Sequence, residues 1–204
     1  MQAYHIVGEA PLYTNTFVMI SDAHRAVIID PAAAAEKYEA VLAEQNATLA
    51  AIFCTHGHYD HVGSAEALRA HTGATLYCET ADAKGDQMFP LDAARIDRGY
   101  AEGERIAVDE LQFTVWHTPG HTPGSVCLLC ENYFFTGDTL FAGSMGRTDL
   151  PGGSEATMRE SLRKLAALPV PGDAQVLPGH GEFSTYAWEM QNNHYVKSAC
   201  AAGR

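Results

Sequence analysis

Between positions 56 and 61 the chain reads His56-Gly57-His58-Tyr59-Asp60-His61, three imidazoles and a carboxylate within six residues. Imidazole and carboxylate are side chains that zinc, iron and manganese accept as ligands. The hexad follows the apolar run Leu49-Ala50-Ala51-Ile52-Phe53-Cys54, so the pattern is a strand feeding a loop dense in ligating groups. One ion cannot comfortably use four ligands packed this closely, and the hexad therefore points to two neighbouring ions that share it. Further ligand-type residues recur after strand-like runs: His121 in Thr118-Pro119-Gly120-His121-Thr122-Pro123-Gly124, Asp138 in Thr136-Gly137-Asp138-Thr139, and His180 in Leu177-Pro178-Gly179-His180-Gly181. Flanking glycine and proline let the backbone turn sharply and aim one side chain inward. Loops at strand ends are where a rigid scaffold displays chemistry.

Strands, helices and one irregular segment must hold these loops. Tyr4–Val7, Thr16–Ile20 and Ala26–Ile29 read as opening strands. Asp30-Pro31 then suits a helix start, Asp30 as N-cap and Pro31 at the first helical position, and Ala32–Gln45 follows as a helix. Gly63–Ala70 reads as helix, Thr75–Cys78 as strand, and Glu79–Arg105 as an irregular polar segment carrying Met88, Phe89 and Tyr100 near the mouth of the site or on the surface. Strands follow at Arg105–Val108, Leu111–His117, Ser125–Cys130 and Tyr133–Thr136. Ser154 is a fitting N-cap for a helix over Glu155–Leu168, where Met158, Leu162, Leu165 and Leu168 form an apolar stripe. A final helix is expected from about Thr185 toward Val196.

His-x-His-x-Asp-His followed in order by His121, Asp138 and His180 resembles the metallo-β-lactamase superfamily, over nearly the whole chain. Periodicity alone gives an α/β class. The resemblance implies an αββα sandwich, two facing mixed sheets flanked by helices, as a single hydrolase domain over 1–204 without a C-terminal glutathione-gripping helical domain. It also implies that His56, His58 and His121 hold a first divalent metal ion, that Asp60, His61 and His180 hold a second, and that Asp138 bridges both. Such a pair, about 3.5–4 Å apart, lowers the pKa of a shared water toward neutrality. A metal-bound hydroxide is then the nucleophile, with Asp60 and Asp138 as the catalytic carboxylates, and no serine or cysteine attack is needed. Zinc is expected, and the same ligands take iron or manganese according to supply. Two divalent ions outweigh two carboxylates and a hydroxide, so a small anionic substrate is favoured locally.

Composition narrows the partners. With 204 residues, 47% of them hydrophobic, the chain can bury one sizeable core. A net charge of −12 argues against nucleic acid, whose phosphates need clustered lysine and arginine. The sequence has no run of transmembrane length and opens on Met1-Gln2-Ala3-Tyr4-His5 without signal-peptide character, so a cytoplasmic enzyme with no membrane or nucleic-acid partner is expected, as a monomer or small homo-oligomer. Cys54, Cys78, Cys127, Cys130 and Cys200 make no disulfide framework. The Cys127-Leu128-Leu129-Cys130 spacing mimics a redox or zinc motif but reads as a buried strand.

Secondary motifs refine the resemblance. Thr55-His56-Gly57-His58, Thr118 to Ser125, and Leu140 to Gly153 are similar to short, single-domain glyoxalase II-like hydrolases, and His58 stands where the flavodiiron pattern has glutamate. Those relatives cleave thioesters such as S-D-lactoylglutathione. A thiolate leaves unaided, because a thiol pKa of about 8.5 lies near neutrality, whereas an amine must be protonated as it departs. Two departures stand out: His194 in Asn192-Asn193-His194-Tyr195 replaces the proline of many relatives, which would let a helix continue through it, and few residues follow His180. His194 reads as structural or exposed. Asp30 could orient a ligand histidine, Arg147 could meet a substrate carboxylate or lock its loop through Asp149, and Tyr59 could line the pocket. Two rival activities remain: a mono-iron persulfide dioxygenase, which shares a Gly-Arg-Thr-Asp segment and would use His56, His121 and Asp138 with oxygen, and a lactonase.

Overall fold

The computed structural model describes residues 1–201. Its first sheet has the order β1 (Gln2–Val7), β2 (Asn15–Ile20), β3 (Arg25–Ile29), β4 (Thr48–Phe53), β5 (Thr75–Tyr77). The β1–β2 and β2–β3 pairs are antiparallel, while β3–β4 and β4–β5 are parallel. The second sheet runs β13 (Ser184–Thr185), β12 (Gln175–Pro178), β9 (Tyr133–Gly137), β8 (Val126–Cys130), β7 (Leu111–His117), β6 (Arg105–Val108). Only its β9–β12 pair is parallel. Between β9 and the later strands lies a small hairpin, β10 (Leu140–Phe141) with β11 (Ser144–Met145).

The period-two alternation of side chains across a strand builds the layers. Phe17, Met19, Val27, Ile29 and Phe53 point from the first sheet to Phe113, Val115, Leu128 and Phe135 of the second, making the central core. The intervening Val18, Ile20, Ala26, Ile28 and Ile52 face outward onto α1 (Ala35–Glu44) and α3 (Ala65–Thr72) through Tyr38, Leu42 and Leu68. On the far side Cys127, Phe134 and Val176 meet Met158, Leu162 and Leu165 of α4 (Glu155–Leu165), with Tyr186 of α5 (Tyr186–Asn192) and Val196 of α6 (His194–Ala201). The molecule is thus the αββα sandwich expected from the sequence. Cys127 and Cys130 fall in opposite cores, so they do not form a pair. Burial pushes their thiols up to about 12 and about 11.

Four expectations are corrected. α1 begins at Ala35, with Ala34 as N-cap, so Asp30 caps no helix: it holds φ +50° at the end of β3 and its carboxylate is used elsewhere. The helix expected over Gly63–Ala70 is α3, shifted to Ala65–Thr72 with Ser64 as N-cap, and a separate four-residue turn α2 (Tyr59–Val62) precedes it. α4 is capped by Ser154, which accepts from the Thr157 amide at 3.3 Å as expected, but it stops at Leu165 rather than Leu168. The terminal helix does not run through His194. It breaks at Asn193 (φ −63°, ψ 119°), whose Oδ1 accepts from the Tyr195 amide to start α6, while His194 is exposed. In the Glu79–Arg105 segment Met88 lines the site cavity, whereas Phe89 and Tyr100 are buried.

Candidate metal centre

β7, β9 and β12 run in one direction in the second sheet, and their C-terminal ends deliver His121, Asp138 and His180 to one edge of the sandwich. β4 delivers His56 from the first sheet. His58 then begins α2, whose single turn presents Asp60 and His61 together. The two sheets are hooked at this edge by the Val126 amide, which donates to the Thr55 carbonyl at 2.8 Å. Gly137 makes the close approach possible: its φ is +47°, and a Cβ there would stand 2.4 Å from Thr55 Oγ1.

All seven residues predicted as ligands come together. His56, His58 and His121 form one group, Asp60, His61 and His180 another, and in each the ligand atoms lie within 4.8 Å of one another. Asp138 stands between them, with Oδ1 3.5 Å from His61 Nε2 and Oδ2 3.4 Å from His121 Nε2 and 3.5 Å from His180 Nε2. His58 Nδ1 and His121 Nε2 are 2.9 Å apart, and His61 Nε2 and His180 Nε2 are 3.3 Å apart.

The outer ring nitrogens show which inner atoms are free. His121 Nδ1 faces the Arg147 carbonyl at 2.7 Å, His180 Nδ1 the Leu12 carbonyl at 3.1 Å, and His61 Nδ1 the Asp30 carboxylate at 3.0 Å. His56 Nδ1 lies 3.1 Å from Thr55 Oγ1, which donates to Asp30 at 2.7 Å. Each of these imidazoles places its proton outward, so Nε2 is left as an inward lone pair, the arrangement a ligating histidine needs. His56 Nε2 and Asp138 Oδ1 are buried without a hydrogen-bond partner. Such orphaned groups are costly unless something satisfies them, and a divalent cation among these donors fits.

Electrostatics point the same way. Burial lowers the His56 pKa strongly, helped by the surrounding imidazoles, and with the same causes His58 falls to about 4. Burial opposes charge on His61 too, but Asp138 and Asp30 outweigh it and raise that imidazole to about 9. His180 is likewise raised against its burial, by Asp60 and Asp138. Asp60, despite burial, is driven below the usual carboxylate range by its hydrogen bond to His180 and the charge of His61. The carboxylates thus ask for positive charge at the Asp60–His61–His180 group, and metal binding would release the protons that otherwise supply it.

The centre opens into a cavity of about 530 Å³ whose apolar wall includes Leu12, Tyr59, Met88, Phe141, Met145 and Leu150. Arg147 reaches the same cavity and forms a two-pronged pair with Asp149, at 2.7 and 2.8 Å. Sequence reading missed several contributors: the Leu12 and Arg147 carbonyls, Asp82 behind the histidine loops, and Glu189 and Asn193. The Glu189 carboxylate accepts from the Gly143 amide at 3.0 Å, and Asn193 Nδ2 donates to Glu189 at 2.7 Å and to the Ser144 carbonyl at 2.9 Å, fixing the β10–β11 hairpin. None of these carries a local motif.

A four-layer sandwich with such a centre at its strand ends defines a class of metal-dependent hydrolases. The chain belongs to the metallo-beta-lactamase superfamily, whose family model matches residues 10–180. It is 35% identical over 207 residues to the hydroxyacylglutathione hydrolase GloC of Haemophilus influenzae, covering 95% of this chain and 97% of that protein. Among solved structures it is similar to the BLEG-1 B3 metallo-beta-lactamase (31% identity, TM-score 0.84, 96% of this chain and 99% of that one). It is also similar to ETHE1 from Myxococcus xanthus (30% identity, TM-score 0.84, 97% and 85%). Among the described residues no helix is long and apolar enough to cross a membrane.

Proposed function

We propose that this metal-dependent hydrolase cleaves a small anionic thioester of the S-D-lactoylglutathione type, in the cytoplasm, as a monomer or small homo-oligomer without nucleic-acid or membrane partners. One observation carries the reading: the cavity brings the ligand groups to an otherwise apolar wall, where Tyr59 and Arg147 are the further titratable residues. Beyond the ligand groups and the Tyr59 phenol, the cavity lining offers no proton donor suited to a leaving amine, and a thiolate, unlike an amine, departs without one. The hydroxyacylglutathione hydrolase relative supports the same choice.

Two divalent ions, held by His56, His58 and His121 and by Asp60, His61 and His180 with Asp138 between, would supply Lewis acidity and a nucleophilic hydroxide at neutral pH. Zinc is the expected metal. Asp60 and Asp138 would be the carboxylates that orient that nucleophile. Asp30 keeps the His61 proton on Nδ1. The apolar wall excludes bulk water around the scissile carbonyl, and Tyr59 and Arg147 reach the polar ends of the substrate, Arg147 by exchanging Asp149 for a substrate carboxylate.

The test is turnover of S-D-lactoylglutathione by metal-reconstituted protein beside His58→Ala. Metal-dependent thioester loss that the variant lacks supports the reading; two bound metals with no turnover would refute it and turn attention to lactones. The resemblance to ETHE1 keeps a mono-iron persulfide dioxygenase as the second reading, through His56, His121 and Asp138. The complete Asp60–His61–His180 group weighs against it. One bound iron with oxygen uptake on glutathione persulfide would reverse that order.

A further inference from the structure

Two buried carboxylates lie beneath the centre. Asp30 accepts from the Thr55 amide, Thr55 Oγ1 and His61 Nδ1 at 2.7, 2.7 and 3.0 Å, so it meets the second group directly at His61 and the first only through Thr55, whose Oγ1 is 3.1 Å from His56 Nδ1. Asp82 lies beneath the first, in a three-residue 3₁₀ turn (Thr80–Asp82) after β5, and is wholly buried. Its Oδ2 accepts from the Gly57 amide at 3.0 Å and from Thr122 Oγ1 at 2.7 Å, and its Oδ1 accepts from the Gly124 amide at 2.9 Å. Gly57 is the residue between His56 and His58, and Thr122 follows His121. All three bonds therefore land on the two loops that carry the first group, loops brought together from different sheets.

From this geometry we propose that Asp82 is a positioning residue for the His56–His58–His121 group: it clamps the two loops so that the three imidazoles meet, and it adds a negative charge behind an otherwise neutral ligand set. Burying a carboxylate is costly unless its lone pairs are used, and here they are used on nothing but these loops. An asparagine of the same size has one acceptor oxygen, so its NH2 must oppose an N–H or the hydroxyl. The clamp then opens while the other half keeps Asp30. The inference does not depend on which substrate is cleaved.

The test is zinc affinity, read by competition with a chromogenic chelator on stripped protein, in two backgrounds. Asp60→Ala leaves the first group and His58→Ala leaves the second. Asp82→Asn is expected to weaken zinc roughly 10–100-fold, the range for residues supporting ligands, in the Asp60→Ala background, and by less than about twofold in the His58→Ala background. A merely structural role would weaken both alike, so equal losses overturn the proposal, as does no loss in either. If Asp82→Asn does not fold, Thr122→Val decides: it removes a single donor to Asp82, and a smaller loss confined to the Asp60→Ala background is expected. A failed thioesterase assay leaves these readings intact, because they concern metal alone.

Discussion

Replacing Asp30 by asparagine removes a charge while keeping shape. The side chain is isosteric, and asparagine tolerates the left-handed backbone at φ +50°. Asp30 Oδ1 accepts from the Thr55 amide, and Oδ2 from Thr55 Oγ1 and His61 Nδ1. If the amide oxygen stays on the Thr55 amide, the NH2 faces Thr55 Oγ1, which can turn to accept, and His61 Nδ1, which accepts only by giving up its proton. The His61 proton then moves to Nε2, the atom that points to His180 and Asp138, and the ring no longer offers a lone pair to a metal. The flipped amide sets two N–H donors against each other across 2.7 Å. A hydrogen bond to a charged group contributes about 1.5–3 kcal/mol. At about 1.4 kcal/mol per tenfold, this is roughly a 10–100-fold loss of affinity for one ion, the same range found for partners of ligating histidines. The assay is metal content after dialysis against graded chelator: wild type is expected to retain a second ion at chelator levels where Asp30→Asn has lost it. The same variant should also bring the His61 imidazole down from about 9, which proton NMR of the metal-free protein reads. Unchanged retention of both ions would refute the assignment of Asp30 as the orienting partner of His61.

Gly179→Ala should abolish binding at the junction of the two groups, since the added Cβ would stand 2.3 Å from Asp138 Oδ1 and 2.5 Å from His61 Cε1; normal metal content in the variant would show that these side chains have room to retreat. Metal-free protein should be most stable near pH 6.5. The lowered His56 and His58 values (the latter about 4) mean that stability present above 6.5 is lost as pH falls, on the order of 3 kcal/mol for His58 alone. The raised His61 value means that stability present below 6.5 is lost as pH rises through about 9. Melting temperature against pH checks both arms, and a steady rise from 6.5 to 9 would contradict the second. Asn193→Ala removes the bonds to Glu189, Ser144 and Tyr195, about 1 kcal/mol each, and should lower the melting temperature by roughly 5–10 °C. Its effect should extend to the cavity wall through Phe141 and Met145 of the hairpin, visible as a raised KM.

What could be read from the chain alone was local in origin. Apolar alternation marked nearly every strand, because a strand between a core and a helix layer sorts its side chains by neighbour. The seven ligand-type residues stood out because metal chemistry admits few side chains, and the glycines and prolines beside them announced turns at strand ends. The remainder depended on contacts between distant segments, which no window of sequence contains. Asp30 had two local readings, helix cap or ligand partner, and only the fold chose, by placing His61 and Thr55 over its carboxylate. Asp82 sat in a polar stretch without a motif until Thr122, 40 residues on, closed over it. The terminal helix looked continuous because helix propensity is local. It breaks where the buried Asn193 side chain turns to the Ser144 carbonyl, 49 residues earlier in the chain, and to Glu189. Residue types and their order set which chemistry the chain could carry; packing of distant segments chose which buried carboxylates and amides hold that chemistry in place, because desolvation makes those hydrogen bonds obligatory only once the layers have packed.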